Sequence, residues 1–253
     1  MKKNLAYIAL FTFFIFSCKK EDVVEPPRDF GDQAIADEQS LEDFLSTHFY
    51  NYEDFLDSES QPELVIDTLS GENADKTPLI EQVRKEVIRL KTSEDSFVDH
   101  TVYTLVAREG SGVSPSSVDS IYLSYEGILL NRKRFDRSFA PVWFDLTSLV
   151  RGFREGVTVL KSGEFSVDEY NVPVFSNYGQ GAIFMPSGLG YFNSARGAIP
   201  SYSPLIFKID LYLVKQTDHD GDGILSVDEF DRDGDGIADD TDQDGIPDYL
   251  DAN

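Results

Sequence analysis

The acidic residues between Asp218 and Glu229 show the most specific spacing pattern in the 253-residue chain. Aspartates occupy alternate positions at its start, Gly223 follows them, and Glu229 closes the stretch. A hard cation needs six to eight oxygen ligands, and alternating carboxylates around a glycine turn supply them from a short peptide. The pattern predicts a calcium site whose ligands are Asp218, Asp220, Asp222, the carbonyl of Ile224, Ser226 and Glu229.

The same rhythm recurs twice further along the chain. The second copy consists of Asp231, Asp233, Asp235, Ile237, Asp239 and Asp242. The third overlaps it and consists of Asp240, Asp242, Asp244, Ile246, Asp248 and Asp251. The first copy resembles the calcium loop of an EF-hand, but there is no room for flanking helices, and the repeated rhythm is similar instead to thrombospondin type-3 repeats. We expect calcium to be a structural cofactor of residues 218–253; the alternative is a disordered acidic tail that only keeps the protein soluble.

The charge balance restricts the classes of partner. The chain carries 46 acidic and 22 basic residues, a net charge of −24, and more than half of the excess lies in residues 218–253. Such a surface repels a polyanion, so we expect no nucleic-acid partner. A single cysteine, Cys18, excludes an internal disulfide and a CxxC-type zinc or redox site.

Five motifs between residues 98 and 217 follow one another in a characteristic order. They are Tyr125-Glu126-Gly127, Phe135-Asp136-Arg137-Ser138, the run from Leu149 to Gly156, the run from Pro186 to Tyr191, and Ile199-Pro200 with Leu205-Ile206-Phe207. Together they resemble the FKBP family of peptidyl-prolyl cis-trans isomerases. The resemblance implies an α+β fold in which an antiparallel β-sheet wraps on one short helix.

The resemblance also implies the residues of the site. Phe153 stands where the family has its pocket-floor tryptophan, and the apolar walls would be Phe135, Val150, Ile199 and Phe207. The polar rim would consist of Tyr125, Asp136 and Tyr191. Tyr191 would donate a hydrogen bond to a substrate carbonyl, and Asp136 would face the twisting imide.

Prolyl isomerisation requires few chemical groups in such a site. Rotation about an Xaa-Pro bond removes amide resonance, against a barrier of ~18–20 kcal/mol, but it breaks no bond. Because the twisted carbonyl is less polarised than the planar one, an apolar, water-poor pocket favours the transition state. Catalysis therefore requires no nucleophile, metal or other cofactor.

Three features depart from the family pattern. Phe153 lacks the indole donor of tryptophan, and Phe192 follows Tyr191 where the family often has glycine. Residues 164–179 resemble an insertion that could overhang the pocket. The single tryptophan, Trp143, would lie near the rim, where it either contacts substrate or belongs to the core.

The surrounding pattern predicts the elements that position these residues. Apolar residues recur at helical spacing over Ser40–Tyr52, with Ser40 and Asp43 placed as an amino-terminal cap and His48 as a packed core histidine. Residues 63–90 carry conflicting signals: Leu64-Val65-Ile66 suggests a strand, whereas the spacing after Pro78 suits a capped helix. From Thr101 onward short alternating runs predict β-strands, interrupted by one helix over Ser148–Leu160. We therefore predict an accessory segment over residues 30–97 and an isomerase domain over residues 98–217.

The amino terminus has the pattern of an export signal. A basic start is followed by an apolar run from Leu5 to Phe16 and then by Ser17-Cys18. This resembles a lipoprotein signal, residues 1–17, with Cys18 as the lipidated first residue of the mature protein and residues 18–29 as a tether. The alternative is a signal peptide with an incidental cysteine. The run Lys19–Asp22 is similar to a tag that directs lipoproteins outward, so we expect an exported outer-membrane lipoprotein on the periplasmic or cell-surface face.

These patterns lead to one functional prediction and two alternatives. The first is a prolyl isomerase that acts on proline-containing client proteins during the folding of exported or outer-membrane proteins. The second is a non-catalytic FKBP-like lipoprotein that binds peptides or a partner and has a calcium-stabilised tail. The third is a calcium-dependent surface adhesin that uses the FKBP-like domain as a scaffold.

Overall fold

The computed structural model describes residues 26–57, 61–93, 96–234 and 236–252. The α-helices in these ranges are α1 (Phe30–Thr47), α2 (Arg151–Val157) and α3 (Ser226–Glu229). The strands are β1 (His48–Tyr50), β2 (Ile66–Thr68), β3 (Val83–Ser93), β4 (Ser96–Arg108), β5 (Ser120–Leu129), β6 (Arg134–Asp145), β7 (Glu164–Val167), β8 (Pro173–Ser176), β9 (Gly179–Met185) and β10 (Leu205–Lys215).

A six-stranded sheet with the order β3-β4-β9-β10-β5-β6 forms the centre of the fold. Every neighbouring pair in it is antiparallel. The short helix α2 packs on one face, here called the inner face, where Phe153, Val157 and Ile183 share one buried cluster. A Cβ atom on Gly156 would lie 2.7 Å from Ile183, so glycine is what allows this close approach. The predicted α+β class, an antiparallel sheet on one short helix, is confirmed.

The opposite, outer face of the sheet is covered by α1. Leu41, Phe44 and Leu45 are buried there against Phe184 and other side chains of the outer face. The helix begins at Phe30 because the Asp29 carboxylate caps it, accepting hydrogen bonds from the amides of Gly31 (2.8 Å) and Asp32 (3.1 Å).

The predicted helix over Ser40–Tyr52 was therefore correct in type and wrong in its bounds. Ser40 is no cap, because its hydroxyl donates to the carbonyl of Ala36 within the helix. The helix ends at Thr47, and His48 begins β1. The His48 ring stacks on Phe44 with 3.8 Å between ring centroids, which is a packing contact.

The helix suggested after Pro78 is also wrong. Only a 3-10 turn, Leu79–Glu81, precedes β3, which pairs with β4 from Val83 opposite Leu105 to Ser93 opposite Ser96. Pairing with β4 supplies the backbone hydrogen bonds of this segment and overrides its local helical spacing. The sheet consequently continues into the segment predicted as accessory, and residue 98 lies inside β4.

The structure shortens the predicted helix over Ser148–Leu160 to Arg151–Val157, preceded by a 3-10 turn over Leu146–Ser148. No helix in the described ranges is both long and apolar enough to cross a membrane. Cys18 and the predicted signal lie outside the described residues.

Candidate functional site

An apolar cluster on the inner face, here called the pocket, gathers side chains from α2, β6, β10 and the connection between β9 and β10. Phe207 stands at its centre, with the Phe153 ring 5.0 Å and the Phe135 ring 5.5 Å away, both edge-on. Phe153 is 3% exposed, Ile199 is buried, and Val150 packs against the same cluster from the position before α2. All five predicted floor and wall residues therefore converge on one apolar cluster.

Two of the three predicted rim residues form a direct hydrogen bond. The Tyr125 hydroxyl donates to Asp136 Oδ2 at 2.7 Å, and the amide of Arg137 donates to Asp136 Oδ1 at 2.8 Å. Burial, together with this contact to Asp136, raises the pKa of Tyr125, so the phenol remains a donor at neutral pH. Tyr191 is half-buried and packs on the same apolar cluster from the loop between β9 and β10.

Gly127 is required for this geometry. It pairs with Asp136 across β5 and β6. A Cβ atom on Gly127 would lie 2.5 Å from the Phe135 ring, which is closer than two carbon atoms can approach. The glycine of the Tyr125-Glu126-Gly127 motif thus leaves space for a wall residue of the pocket.

Strand alternation identifies a pocket residue that the motifs missed. Phe144 pairs with Ile121, whose side chain faces the inner cluster, and the Phe144 ring lies 5.5 Å from Tyr125. Its neighbour Trp143 points the other way: it is 51% exposed and lies 5.2 Å from Tyr122 on the outer face. Trp143 therefore belongs neither to the pocket nor to the buried core. The alternating pattern of β6 could have predicted both placements.

The 164–179 insertion forms the hairpin β7–β8 and does not overhang the pocket, contrary to the expectation. Its Phe175 ring lies 5.5 Å from Tyr122 and 5.2 Å from Tyr212, and Tyr178 lies 4.6 Å from Tyr212. Tyr122 and Tyr212 project from the outer face, because the side chains adjacent to them in sequence, Leu123 and Leu211, belong to the inner cluster. These aromatic contacts of the hairpin lie on the face of the sheet opposite the apolar cluster around Phe207.

The first acidic loop folds as a compact turn. Asp218 Oδ1 accepts from the amide of Gly221 at 2.7 Å, and Asp222 Oδ1 accepts from the amide of Ile224 at 2.7 Å. Gly223 has φ of 98°, a left-handed conformation that favours glycine. Carboxylate oxygens of Asp218, Asp220 and Asp222 lie within 4.8 Å of one another, as do those of Asp240, Asp242 and Asp244.

Glu229, the twelfth residue of the first loop, is 6% exposed. Its Oε2 atom has no hydrogen-bond partner among the described residues, and the same is true of Asp220 Oδ2. Burial first, and then the charges of Asp222 and Asp220, raise the pKa of Glu229. A buried carboxylate facing further carboxylates without a donor fits an arrangement that a bound cation would complete.

In each loop the side chain of the ninth residue accepts a hydrogen bond from the amide of the second residue of the same loop. Ser226 Oγ accepts from the amide of His219, Asp239 Oδ2 from the amide of Arg232, and Asp248 Oδ1 from the amide of Thr241. The twelfth residues, Glu229, Asp242 and Asp251, line one cavity of 320 Å³. Asp231 and Asp240 each keep a buried oxygen without a partner among the described residues. The side chains of Ile224, Ile237 and Ile246 are exposed, Asp233 is exposed, and Asp235 lies outside the described residues.

Comparison with known proteins supports the predicted resemblance. Residues 112–212 match the sequence model of the family described as FKBP-type peptidyl-prolyl cis-trans isomerase. This range contains all five motifs, so the family resemblance of this region is confirmed.

Curated relatives match over longer or shorter parts of the chain. The FKBP-type isomerase FkpA of Aeromonas hydrophila is 28% identical over 62% of this chain and 55% of its own length. The isomerase Mip of Coxiella burnetii is 33% identical over 44% of each chain, and FkpA of Escherichia coli K12 is 26% identical over 78% of this chain and 64% of its own. The chain thus spans less than two thirds of the length of these relatives.

Two solved structures show a weaker likeness. A peptidyl-prolyl cis-trans isomerase from Pseudomonas syringae has a TM-score of 0.43 and 18% identity, over 76% of this chain and 100% of its own. FkpA from Escherichia coli has a TM-score of 0.42 and 21% identity, over 73% of this chain and 62% of its own.

Proposed function

We propose that this protein is an FKBP-type peptidyl-prolyl cis-trans isomerase that uses the apolar pocket around Phe207. The observation that carries the proposal is the convergence of five separate sequence motifs on this pocket, with the Tyr125–Asp136 hydrogen bond at its rim. The pocket walls are aromatic and aliphatic, and the polar rim groups are Tyr125, Asp136 and Tyr191. This arrangement suits a reaction whose transition state is less polar than its ground state.

Each part of the pocket has a role in the proposed mechanism. Phe153, Phe135 and Phe207 enclose the proline ring and exclude water from the twisting bond. Tyr191 donates a hydrogen bond to a substrate carbonyl, which orients the peptide. Asp136, held by Tyr125, faces the imide. The substrate bond rotates and none is broken, so no proton or leaving group has to be transferred.

The test is the rate of cis-to-trans isomerisation in a panel of Xaa-Pro peptides, using a soluble form that begins after Cys18. Phe153→Ala and Asp136→Ala should each lower kcat/KM, because one removes the floor and the other a polar rim group. Trp143→Ala is the matched control, since it removes a large aromatic side chain from the outer face. No acceleration by the folded wild type, or an equal loss in the control, would contradict the proposal.

The same pocket supports a second candidate, a peptide-binding module without useful turnover. Phe153 is the specific observation in its favour, because phenylalanine retains the apolar floor but lacks the donor that tryptophan provides. Binding of Xaa-Pro peptides without acceleration of their isomerisation would select this candidate. Weaker binding after Phe153→Ala would then locate the groove.

We propose further that the protein is an exported lipoprotein anchored through Cys18, which assists the folding of proline-containing proteins at or beyond the outer membrane. The signal-like run before Cys18 supports this, and several acyl chains on one terminus would make anchoring stable. Metabolic labelling with a fatty-acid analogue, compared between wild type and Cys18→Ser, tests the anchor. Cell fractionation and protease accessibility then distinguish the two faces of the outer membrane.

Calcium binding by residues 218–253 is the third part of the proposal, and it is supported by the buried Oε2 atom of Glu229, which has no hydrogen-bond partner in the part of the chain that the structure describes. Calcium titration by calorimetry should show binding that Glu229→Gln weakens. Asp228→Asn is the matched control, because Asp228 is exposed, adjacent and outside the ligand set. Equal effects of both substitutions would contradict a specific calcium site and would indicate that the tail is only a diffuse acidic surface. Surface binding that survives deletion of the tail would exclude the adhesin alternative.

A further inference from the structure

A buried carboxylate of α1 holds the loop that carries Tyr191. Asp37 is 2% exposed, and its Oδ2 atom accepts hydrogen bonds from both the amide (2.8 Å) and the hydroxyl (2.6 Å) of Ser187. Its other oxygen accepts from Gln33 Nε2 at 2.7 Å. Ser187 is itself 1% exposed. Both the amide and the hydroxyl of Ser187 therefore donate to Asp37, which lies 150 positions earlier in the chain.

Ser187 in turn organises the backbone around Tyr191. Its carbonyl accepts hydrogen bonds from the amide of Gly190 at 2.9 Å and from the amide of Phe192 at 2.8 Å. Tyr191 lies between these two donors. The backbone on each side of Tyr191 is thus tied to one residue, and that residue is tied to Asp37.

A second contact of α1 lies on the other side of Tyr191. Phe192 has φ of 46°, a left-handed conformation that side chains with a Cβ atom rarely adopt. The Phe30 ring, at the start of α1, stacks on Phe192 with 3.8 Å between centroids and an angle of 8°, while Tyr202 packs edge-on at 5.3 Å. These contacts stabilise a conformation that glycine would adopt without strain, and they explain how this chain accommodates phenylalanine after Tyr191.

We propose that α1 is a positioning element of the pocket: Asp37, acting through Ser187, and Phe30, acting through Phe192, hold the Tyr191 hydroxyl in its substrate-binding orientation. This inference rests on the proposed isomerase function. It assigns a role in the reaction to a segment outside the region that matches the family, residues 112–212. Asp37 touches no substrate, so it is a positioning residue and not a catalytic one.

A double-mutant cycle between Asp37 and Tyr191 tests the inference. Asp37→Ala should lower kcat/KM about tenfold, which is less than the ~10²-fold that a full 1 Å misplacement of an orienting group can cost. In the Tyr191→Phe background the same substitution should cause no further loss, since the hydroxyl that Asp37 positions is already absent. Equal losses in both backgrounds would overturn the inference.

Two controls separate positioning from general destabilisation. Leu64→Ala removes a buried side chain of the outer-face cluster, which contains no residue of the Tyr191 loop, and should lower the thermal midpoint with kcat/KM unchanged. Asp37→Asn keeps one side-chain oxygen for both Ser187 donors, so it should retain most of the activity that Asp37→Ala loses. A loss in Leu64→Ala or in Asp37→Asn as large as in Asp37→Ala would contradict the relay.

Hydrogen exchange keeps the inference testable even if the wild type shows no isomerase activity. In that case the proposed function fails, but the positioning of the loop can still be measured. The Gly190 and Phe192 amides should exchange faster in Asp37→Ala than in the wild type, whereas Leu64→Ala should leave their rates unchanged relative to the rest of the sheet. Unchanged exchange of these amides in Asp37→Ala would overturn the inference.

Discussion

Substitution of Gly127 by alanine should lower isomerase activity more than it lowers the stability of the fold. The new Cβ atom would lie 2.5 Å from Cε2 and 2.6 Å from Cζ of Phe135. Carbon atoms of neighbouring side chains normally approach to ~3.5–4.0 Å, so the ring has to move by about 1 Å or more. Because Phe135 is only half-buried, its ring can move toward solvent and leave its edge-on contact with Phe207.

These displacements give unequal effects on stability and on activity. Overpacking of this kind costs about 1–3 kcal/mol, and we expect the lower part of that range because one side of the ring is open to solvent. A 1 Å displacement of a group that positions the substrate can lower the rate by up to about 10²-fold. Gly127→Ala should therefore lower kcat/KM by one to two orders of magnitude, roughly, while the free energy of unfolding falls by about 1 kcal/mol.

The assay combines chemical denaturation with isomerisation kinetics on the same preparations. The double variant Gly127→Ala/Phe135→Ala provides the control, because removal of the ring removes the clash. In the Phe135→Ala background, Gly127→Ala should have almost no effect on stability. Full activity and unchanged stability in Gly127→Ala, or an equal loss of stability in both backgrounds, would refute the steric argument.

Three further predictions concern elements around the pocket. Burial lowers the pKa of His100, so its neutral form stabilises the folded state above pH ~6.5, and this contribution is lost as the pH falls below that value. Between pH 7 and 5.5, denaturation curves should therefore show a smaller loss of stability in His100→Leu than in the wild type. Identical losses in the two proteins would contradict this prediction. Asp29→Ala should lower the free energy of unfolding by about 1 kcal/mol, because two amides of α1 lose their cap, whereas Asp29→Asn should retain most of it. Phe230 is 8% exposed, and the guanidinium of Arg154 lies over its ring, 5.1 Å from the centroid. Phe230→Ala should therefore speed proteolytic cleavage between residues 218 and 252 without changing kcat/KM. Unchanged cleavage would show that Phe230 does not hold the tail.

Much of the candidate site could be predicted from the sequence because its residues lie in short motifs. Each motif lies within one strand, helix or connection, where local spacing determines which side chains project together. The alternating pattern of β6 even contains enough information to place Phe144 in the pocket and Trp143 outside it. The first acidic loop is similar, since its aspartates and Gly223 form their turn through contacts within a few residues.

The sequence by itself therefore predicted strands β4, β5 and β10, the five motifs and the acidic loops. Only the tertiary structure decided that residues 83–93 pair with β4, that the 164–179 hairpin lies on the outer face, and that Asp37 bonds to Ser187. The physical reason is the range of the interactions. Periodicity reflects contacts over a few residues, whereas strand pairing and the burial of Asp37 depend on which distant segment satisfies a backbone or side-chain hydrogen bond.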